Sequence, residues 1–419
     1  MAAGTKAIIT GAGIACAVTV LGMLLKLKGY EPTIYERLDA PPTPASPSPK
    51  RAQGARPHPE APREAPANYT ALAGSERELF RLAVPPLLKE RTSHTFTGVR
   101  RAALIRTLNE EAQARRAAFR SYSGISSLGS KTRSRGRRET SDTRRILFGD
   151  EGVSFTGLAR TGGFSPFLEA FRESRLSAPM LNMYGDGVHM IGCPVNDREI
   201  SWGITQREPE AKETWRAMEE ERQKEFREGL CSKLPFRGGG LVRTAGHIIT
   251  FGLYDRPELP AWHEGRVVLI GDAVHPTSPV SSAHFILPPA EHFGQGANQA
   301  FEDCYHLTRL LVAHNPSGAP PSSTLLDSVF NEFEQLRIVR TSALVQRARQ
   351  HAELLVVSGA DACRKRDEAL VGILADGVRE ATEATEDSGS PATSGVMKPV
   401  GAHYMDLLEQ PSRAGESAI

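Results

Sequence analysis

Cysteine is scarce in this 419-residue chain: the five residues Cys16, Cys193, Cys231, Cys304 and Cys363 lie far apart, with no C-x-x-C pair. No histidine sits at metal-finger spacing either, which argues against a disulfide framework and a structural zinc, and no metal is expected. Net charge is nearly absent. Lys and Arg number 51 against 49 Asp and Glu, so no overall field steers the chain toward nucleic acid or an acidic membrane. Internal repeats are lacking as well. What remains, 40% hydrophobic and 24% charged residues, is ample for a buried core and excludes wholesale disorder. The length suggests roughly two or three domains.

One uncharged stretch, Ala7 to Leu25, is just long enough to raise a membrane span or a signal peptide. Its punctuation argues against both. The β-type segment Ala7-Ile-Ile-Thr10 runs into Gly11 and Gly13, Lys26-Leu-Lys-Gly29 follows the apolar run, and Thr33-Ile-Tyr35 is β-type again. The reading is strand, turn, helix, strand, as at the start of a nucleotide-binding βαβ unit. No stable membrane insertion is expected, and the compartment expected is the cytoplasm.

Further along, Ala40 to Pro66 carries nine prolines and almost no apolar residue, which reads as an extended insertion with neither strand nor helix. Apolar periodicity resumes at Leu79 to Leu88, and Arg100 to Ala118 reads as a helix. Between Arg115 and Arg145 ten basic residues face two acidic ones. Only Phe119 and Tyr122 there could stack on bases, so the segment reads as a solvated loop and no nucleic-acid partner is expected. Short segments from Thr156 to Ile249 suggest a small antiparallel sheet, and Glu208 to Leu230 a surface helix. Arg266-Val-Val-Leu-Ile270 reads as a strand buried on both faces. Helical patterns dominate from Gly294 to about Gly377, and the tail is rich in Thr, Ser, Gly and Glu.

Two constellations carry chemistry. Gly11-Ala-Gly-Ile-Ala-Cys16 follows a strand and opens a helix, so its glycines let the backbone approach a pyrophosphate at the positive helix end. Glu36, at the end of the second strand, could accept hydrogen bonds from an adenosine ribose. The third glycine of the pattern, which permits close helix and strand packing, is Cys16 here and is read as a packing residue. The second constellation is Gly271-Asp-Ala-Val-His-Pro276 with Gly294-Gln-Gly-Ala-Asn-Gln-Ala-Phe-Glu-Asp303. An Asp at a strand end can bind a ribityl hydroxyl, and a glycine-rich helix start can aim N–H groups at a phosphate or a flavin carbonyl.

With these motifs the sequence resembles the FAD-dependent aromatic-hydroxylase-type monooxygenases, the salicylate hydroxylase-like flavoproteins that include fungal tailoring enzymes. The resemblance covers Lys6 to Arg37, Gly98 to Ala112, Phe155 to Arg207 and Glu264 to about Arg349. It implies an α/β fold: a Rossmann-like FAD-binding domain with an inserted antiparallel-sheet substrate domain and C-terminal helices. The expected divisions are 1–118 and 256–312 for the FAD-binding domain, 119–150 for a basic flexible segment and 151–255 for the substrate sheet. The remainder divides into 313–379 for closing helices and 380–419 for a flexible tail.

By resemblance, Gly11, Gly13 and Glu36 hold the ADP half of FAD, and Arg101 in Val99-Arg-Arg-Ala-Ala-Leu104 contacts the cofactor. Asp272 holds the riboflavin portion, with Pro276, Gly296, Ala297 and Asn298 beside the flavin ring. The activity implied is oxygenation of a small aromatic or polyketide-like substrate with NAD(P)H and O2. A catalytic triad is unnecessary for that chemistry. His189 and His275 are general-base candidates by location alone, and a structural role suits both better. Asp186-Gly187 is assigned to a hairpin turn.

The sequence departs from that family in three places. The proline-rich run follows Glu36, the expected G-A-D-G-I strand before Phe155 is reduced to Phe148-Gly-Asp-Glu-Gly152, and Val280 to Phe293 is inserted before Gly294. Retained intron sequence beginning at Val280-Ser281 is one source for such a stretch. These departures leave a flavin-free remnant of the fold, or a binding module, as the rival from another class, and an FAD-dependent oxidase or dehydrogenase as the nearer one.

Overall fold

The charge-free run near the N-terminus divides into a strand, Lys6–Thr10, and an 11-residue helix, Ala17–Leu27, in the computed structural model. The structure describes residues 5–10, 17–36, 63–64, 69–73, 78–82, 97–115, 118–121, 142–149, 152–167, 180–209, 216–235, 237–275 and 295–372. Among these, no helix is long and apolar enough to cross a membrane. The helix covers a parallel sheet in which Lys6–Thr10 pairs with Glu31–Glu36, and Glu31–Glu36 with Ala118–Ser121. Parallel neighbours need a crossover, and the helix supplies the first one. Gly22 lies against the sheet so closely that a Cβ there would be 2.6 Å from Ile34 Cδ1. Close helix–strand contact is thus made at position 22.

Around this unit the core gathers Ile9, Leu21, Leu25 and Ile34 with Leu269, Val274, Ala300, Leu307 and Phe333, from opposite ends of the sequence. Burying each of the larger side chains contributes about 1.5–3 kcal/mol before its entropy cost. Two long helices complete the unit, Gln295–His314 and Ser323–Leu355. Ser322 caps the second by accepting the Leu325 N–H at 3.1 Å, directly after Pro320 and Pro321 have stopped the preceding chain.

The second sheet has eight strands. From edge to edge they are Arg216–Ala217, His247–Asp255, Ser154–Pro166, Glu199–Arg207, Val188–Pro194, Met180–Tyr184, Tyr69–Ala73 and Glu78–Leu82. All junctions are antiparallel except Met180–Tyr184 with Tyr69–Ala73. One face is closed by Leu241, Val242 and Ala245 over Met183, Met190, Trp202 and Ile248. Trp202 donates its indole N–H to Ser165 at 2.8 Å, which satisfies the one polar atom that its burial would otherwise strand. Asp186-Gly187 forms the hairpin turn expected, with Gly187 at φ +68°.

Several sequence expectations are corrected. Arg63–Glu64, inside the proline-rich run, is a short strand paired with Thr97–Gly98, because its residues fall between prolines where an N–H remains available. Ala118–Ser121, in the segment read as a solvated loop, is the third strand of the parallel sheet. Only Val267–Val268 of the expected buried strand 266–270 pairs, in a hairpin with His263–Glu264, and Val267 is 41% exposed. Four apolar residues in a row do not distinguish a strand from a buried loop entering a turn. The helix read over Glu208 to Leu230 spans Glu220–Glu228, with Arg216–Ala217 a strand.

Candidate functional site

The opening helix and the later Gly-Asp turn pack against one and the same helix, Gln295–His314. Cys304, on the helix Gln295–His314, donates its thiol hydrogen to the Ala17 carbonyl at 3.1 Å, at the N-terminal end of the opening helix. Ala300, one turn earlier on that helix, lies against Gly271, where a Cβ would come within 3.0 Å of the Ala300 Cβ. Three elements therefore converge: the start of the first helix, the turn Gly271–Ala273, and the first turns of the helix from Gln295. Gly11, Gly13, Cys16, Pro276 and the stretch from Val280 to Phe293 lie outside the described residues.

The turn is built on Gly271, whose φ of +60° suits glycine and strains any other residue. Asp272 is exposed there, while His275 is 5% exposed. Gly296, Ala297 and Asn298 occupy the first turn of the facing helix, with Ala297 and Asn298 half-buried. Glu36 ends its strand opposite Ser121. Arg101 is the first residue of the helix Arg101–Ala114. The arginine before it turns the other way: Arg100 pairs with Glu199 and stacks on the Phe164 ring at 4.3 Å, in the second sheet.

What holds the turn is a buried carboxylate. Asp303 accepts the Gly271 N–H at 2.8 Å, His275 Nε2 at 2.6 Å and Arg337 Nε at 2.7 Å, and is fully enclosed. Burial alone would raise its pKa, but His275, Arg337 and the Gly271 amide hold it far below the usual carboxylate range. Arg337, 1% exposed, extends the network to Glu302 at 2.5 Å and to the Gln299 side chain at 2.7 Å. Arg340 completes it with two contacts to Glu302, at 2.8 and 2.9 Å. His275 Nδ1 is buried and has no partner among the described residues, and its ring lies 5.3 Å from that of Trp262.

A cation grips the same turn from its other side. Arg144, 4% exposed, donates to the carbonyls of Ala273, Val274 and Pro257 at 3.3, 3.1 and 3.0 Å. It comes from the basic stretch read as solvated. A charge count cannot show which basic residue of ten finds carbonyls to bind. Asp303 and Glu302 were inside a motif already singled out, and Arg337 with Arg340 sits at the i, i+3 spacing of one helix face. The missing signal was their mutual approach, which is tertiary.

Of the two histidines considered as general bases, His189 is fully buried in the second sheet and bonded through Nε2 to Asn182, which donates to the Tyr184 hydroxyl at 2.8 Å. That is a packed polar cluster within the sheet. Asp186 at the adjoining hairpin accepts from Ser358 Oγ at 2.6 Å and from the Gly359 N–H at 2.9 Å, at the start of a helix over 360–372. Those two bonds draw the Asp186 pKa below its ordinary value.

His263 fastens the hairpin before the Gly-Asp turn to the long helix, bonding Glu334 through Nδ1 at 2.5 Å and Asp327 through Nε2 at 3.3 Å. Burial opposes its charge, yet the two carboxylates prevail and its pKa is raised. A raised pKa stabilises the fold through the protonated form, so the contribution is complete below about pH 6.5, the unfolded value, and disappears as pH rises through the folded value. His263→Gln should accordingly lose more stability than the parent at pH 5.5 and little above the folded pKa. Thermal melting of both proteins across pH 5 to 9 checks this, and parallel melting curves would refute it.

No family model matches the chain. Among curated proteins it is 36% identical over 128 residues to 3-amino-4-hydroxybenzoate 2-monooxygenase of Streptomyces cremeus, covering 30% of this chain and 27% of that one. It is 27% identical over 176 residues to the FAD-dependent monooxygenase trt8 of Aspergillus terreus (40% and 41%), and 49% identical over 61 residues to the salicylate hydroxylase of Pseudomonas putida (15% and 11%). These matches span well under two thirds of each relative's length. Among solved structures, a salicylate hydroxylase substrate complex superimposes with a TM-score of 0.61 at 16% identity, covering 99% of this chain and 100% of that one. Klebsiella pneumoniae HpxO complexed with FAD and uric acid gives 0.63 at 16%, covering 91% and 96%. The fold is that of the FAD-dependent hydroxylases. In sequence, the chain is similar to FAD-dependent monooxygenases, with salicylate hydroxylase and fungal tailoring enzymes among its relatives.

Proposed function

We propose that the chain is an FAD-dependent monooxygenase that uses NAD(P)H and O2 to hydroxylate or epoxidise a small aromatic or secondary-metabolite substrate. The observation that carries this reading is that the opening helix and the Gly-Asp turn are both tied to the helix from Gln295, since one extended cofactor needs binding groups at both of its ends. The residues present suit FAD. Asp272 is exposed on a rigid turn where it can accept ribityl hydroxyls, and Gly296, Ala297 and Asn298 stand at a helix N-terminus able to receive a phosphate or ring carbonyl. Gly11 and Gly13 would take the pyrophosphate, Glu36 the ribose and Arg101 a further cofactor contact, while Pro276 would lie beside the ring.

When bound, FAD supplies the redox chemistry, taking electrons from NAD(P)H and passing one atom of O2 to the substrate. The chain's own work is to orient and to exclude water. The buried ties around Gly271 keep the turn from shifting during turnover. No side chain is assigned as the general base.

Purified protein should be yellow, with an oxidised-flavin absorption spectrum, and should consume NADPH with a panel of phenols and fungal aromatic metabolites. Isotopic oxygen from O2 should enter the product; if none does, the oxidase or dehydrogenase reading replaces this one. Asp272→Ala is expected to weaken FAD binding roughly tenfold to a hundredfold, the worth of one or two hydrogen bonds to a charged group. Titration of the flavin-free protein with FAD measures it, and unchanged affinity would remove Asp272 from the site.

A further inference from the structure

We propose that Asp303, backed by Arg337, is a positioning residue for the cofactor, fixing the turn that carries Asp272 relative to the helix start that carries Gly296, Ala297 and Asn298. The inference rests on the reading of this site as an FAD site. Asp303 stands two turns into the helix from Gln295 and yet reaches back to the turn, where it binds the backbone of Gly271 and the ring of His275. One carboxylate therefore sets the separation of two groups of residues that must contact the same molecule. Arg337 sets the carboxylate in turn, through Nε at 2.7 Å, and brings the helix Ser323–Leu355 into the arrangement. Asp303, His275 and Arg337 are all nearly or fully buried, so the geometry is imposed by charge-assisted bonds shielded from water.

The carboxylate is also the only group that joins the turn's backbone N–H to a side chain among the described residues. The Gly271 carbonyl closes the turn by accepting the Val274 and His275 N–H groups at 3.0 Å each, while its N–H is given to Asp303.

Asp303→Asn keeps the shape and removes the charge, so that the His275 and Arg337 bonds are lost or weakened. The variant and the parent, both stripped of flavin, are titrated with FAD by fluorescence quenching, and the visible circular dichroism of the bound flavin is recorded beside the far-ultraviolet spectrum. In the folded variant the Kd for FAD should rise about tenfold or more, as for outer-shell partners of a bound group, and the visible dichroism should change shape. A folded variant with lower thermal stability but parental Kd and parental dichroism would reduce Asp303 to a structural role and overturn the proposal. If Asp303→Asn does not fold, His275→Gln decides. It leaves the Asp303–Arg337 pair intact and should give a smaller rise in Kd with altered dichroism, and no change in either would overturn the proposal. A parent protein that takes up no FAD at all defeats the functional reading and this one together, whereas a parental response in the variants defeats this one alone.

Discussion

Arg337→Ala is expected to cost about 3–5 kcal/mol, because it removes the cation shared by two buried carboxylates. Asp303 and Glu302 are 0% and 2% exposed, and both pKa values are held down against burial, that of Asp303 by His275 and Arg337 and that of Glu302 by Arg340 and Arg337. Arg340 can compensate Glu302 alone. Urea denaturation should show the midpoint falling with little change in slope. The contrast is the neutral set Arg337→Met with Asp303→Asn and Glu302→Gln, which removes the charges together and should recover much of the loss in stability. It should not recover FAD affinity. Arg337→Ala unfolding at the parental urea concentration would show that the network carries no uncompensated charge when broken.

The second large effect is expected at Gly271. Gly271→Val forces a β-branched residue to φ +60°, a backbone penalty of about 1–3 kcal/mol. Its Cβ would also start 3.0 Å from the Ala300 Cβ, so its methyl groups must push the helix away, adding a loss of about the same size. The simplest relief is rotation of the peptide, which breaks the amide bond to Asp303 and moves Asp272. The prediction is a protein that is less stable and purifies without flavin. Calorimetric melting with and without added FAD tests both parts. Gly271→Ala combined with Ala300→Gly removes the contact and leaves the dihedral strain, once the cost of Ala300→Gly measured alone, about 1 kcal/mol for glycine within a helix, is subtracted. A Gly271→Val protein that retains flavin and the parental melting temperature would refute the argument.

Much of the cofactor unit was legible because its signals are local. The order of strand, helix and strand is written within the first 36 residues, and the Gly-Asp turn and the helix start that faces it both lie within residues 271–303. The hairpin at Asp186-Gly187 was equally plain, since a turn is specified by its own few residues. The strand Ala118–Ser121 was hidden by its arginine-rich context, and Tyr69–Ala73 by prolines on one side and a parallel partner more than a hundred residues away on the other. At the site, the residue types expected to touch a cofactor were visible, but those that hold them were not. Asp303, Arg337 and Arg144 act through burial and approach, and neither is a property of a short segment.

Arg144 gives the turn a direction. Its cation draws the carbonyls of Ala273 and Val274 one way, while the Asp303 anion draws the Gly271 amide the other. The peptide units between them are thereby aligned like small dipoles in a fixed field. A flip of the peptide before Gly271 would turn an oxygen toward the Asp303 carboxylate, and a flip of the one after Ala273 or Val274 a hydrogen toward the Arg144 guanidinium. The chain is consequently anchored on both sides of Asp272, so that its place on the turn is set before any ligand arrives.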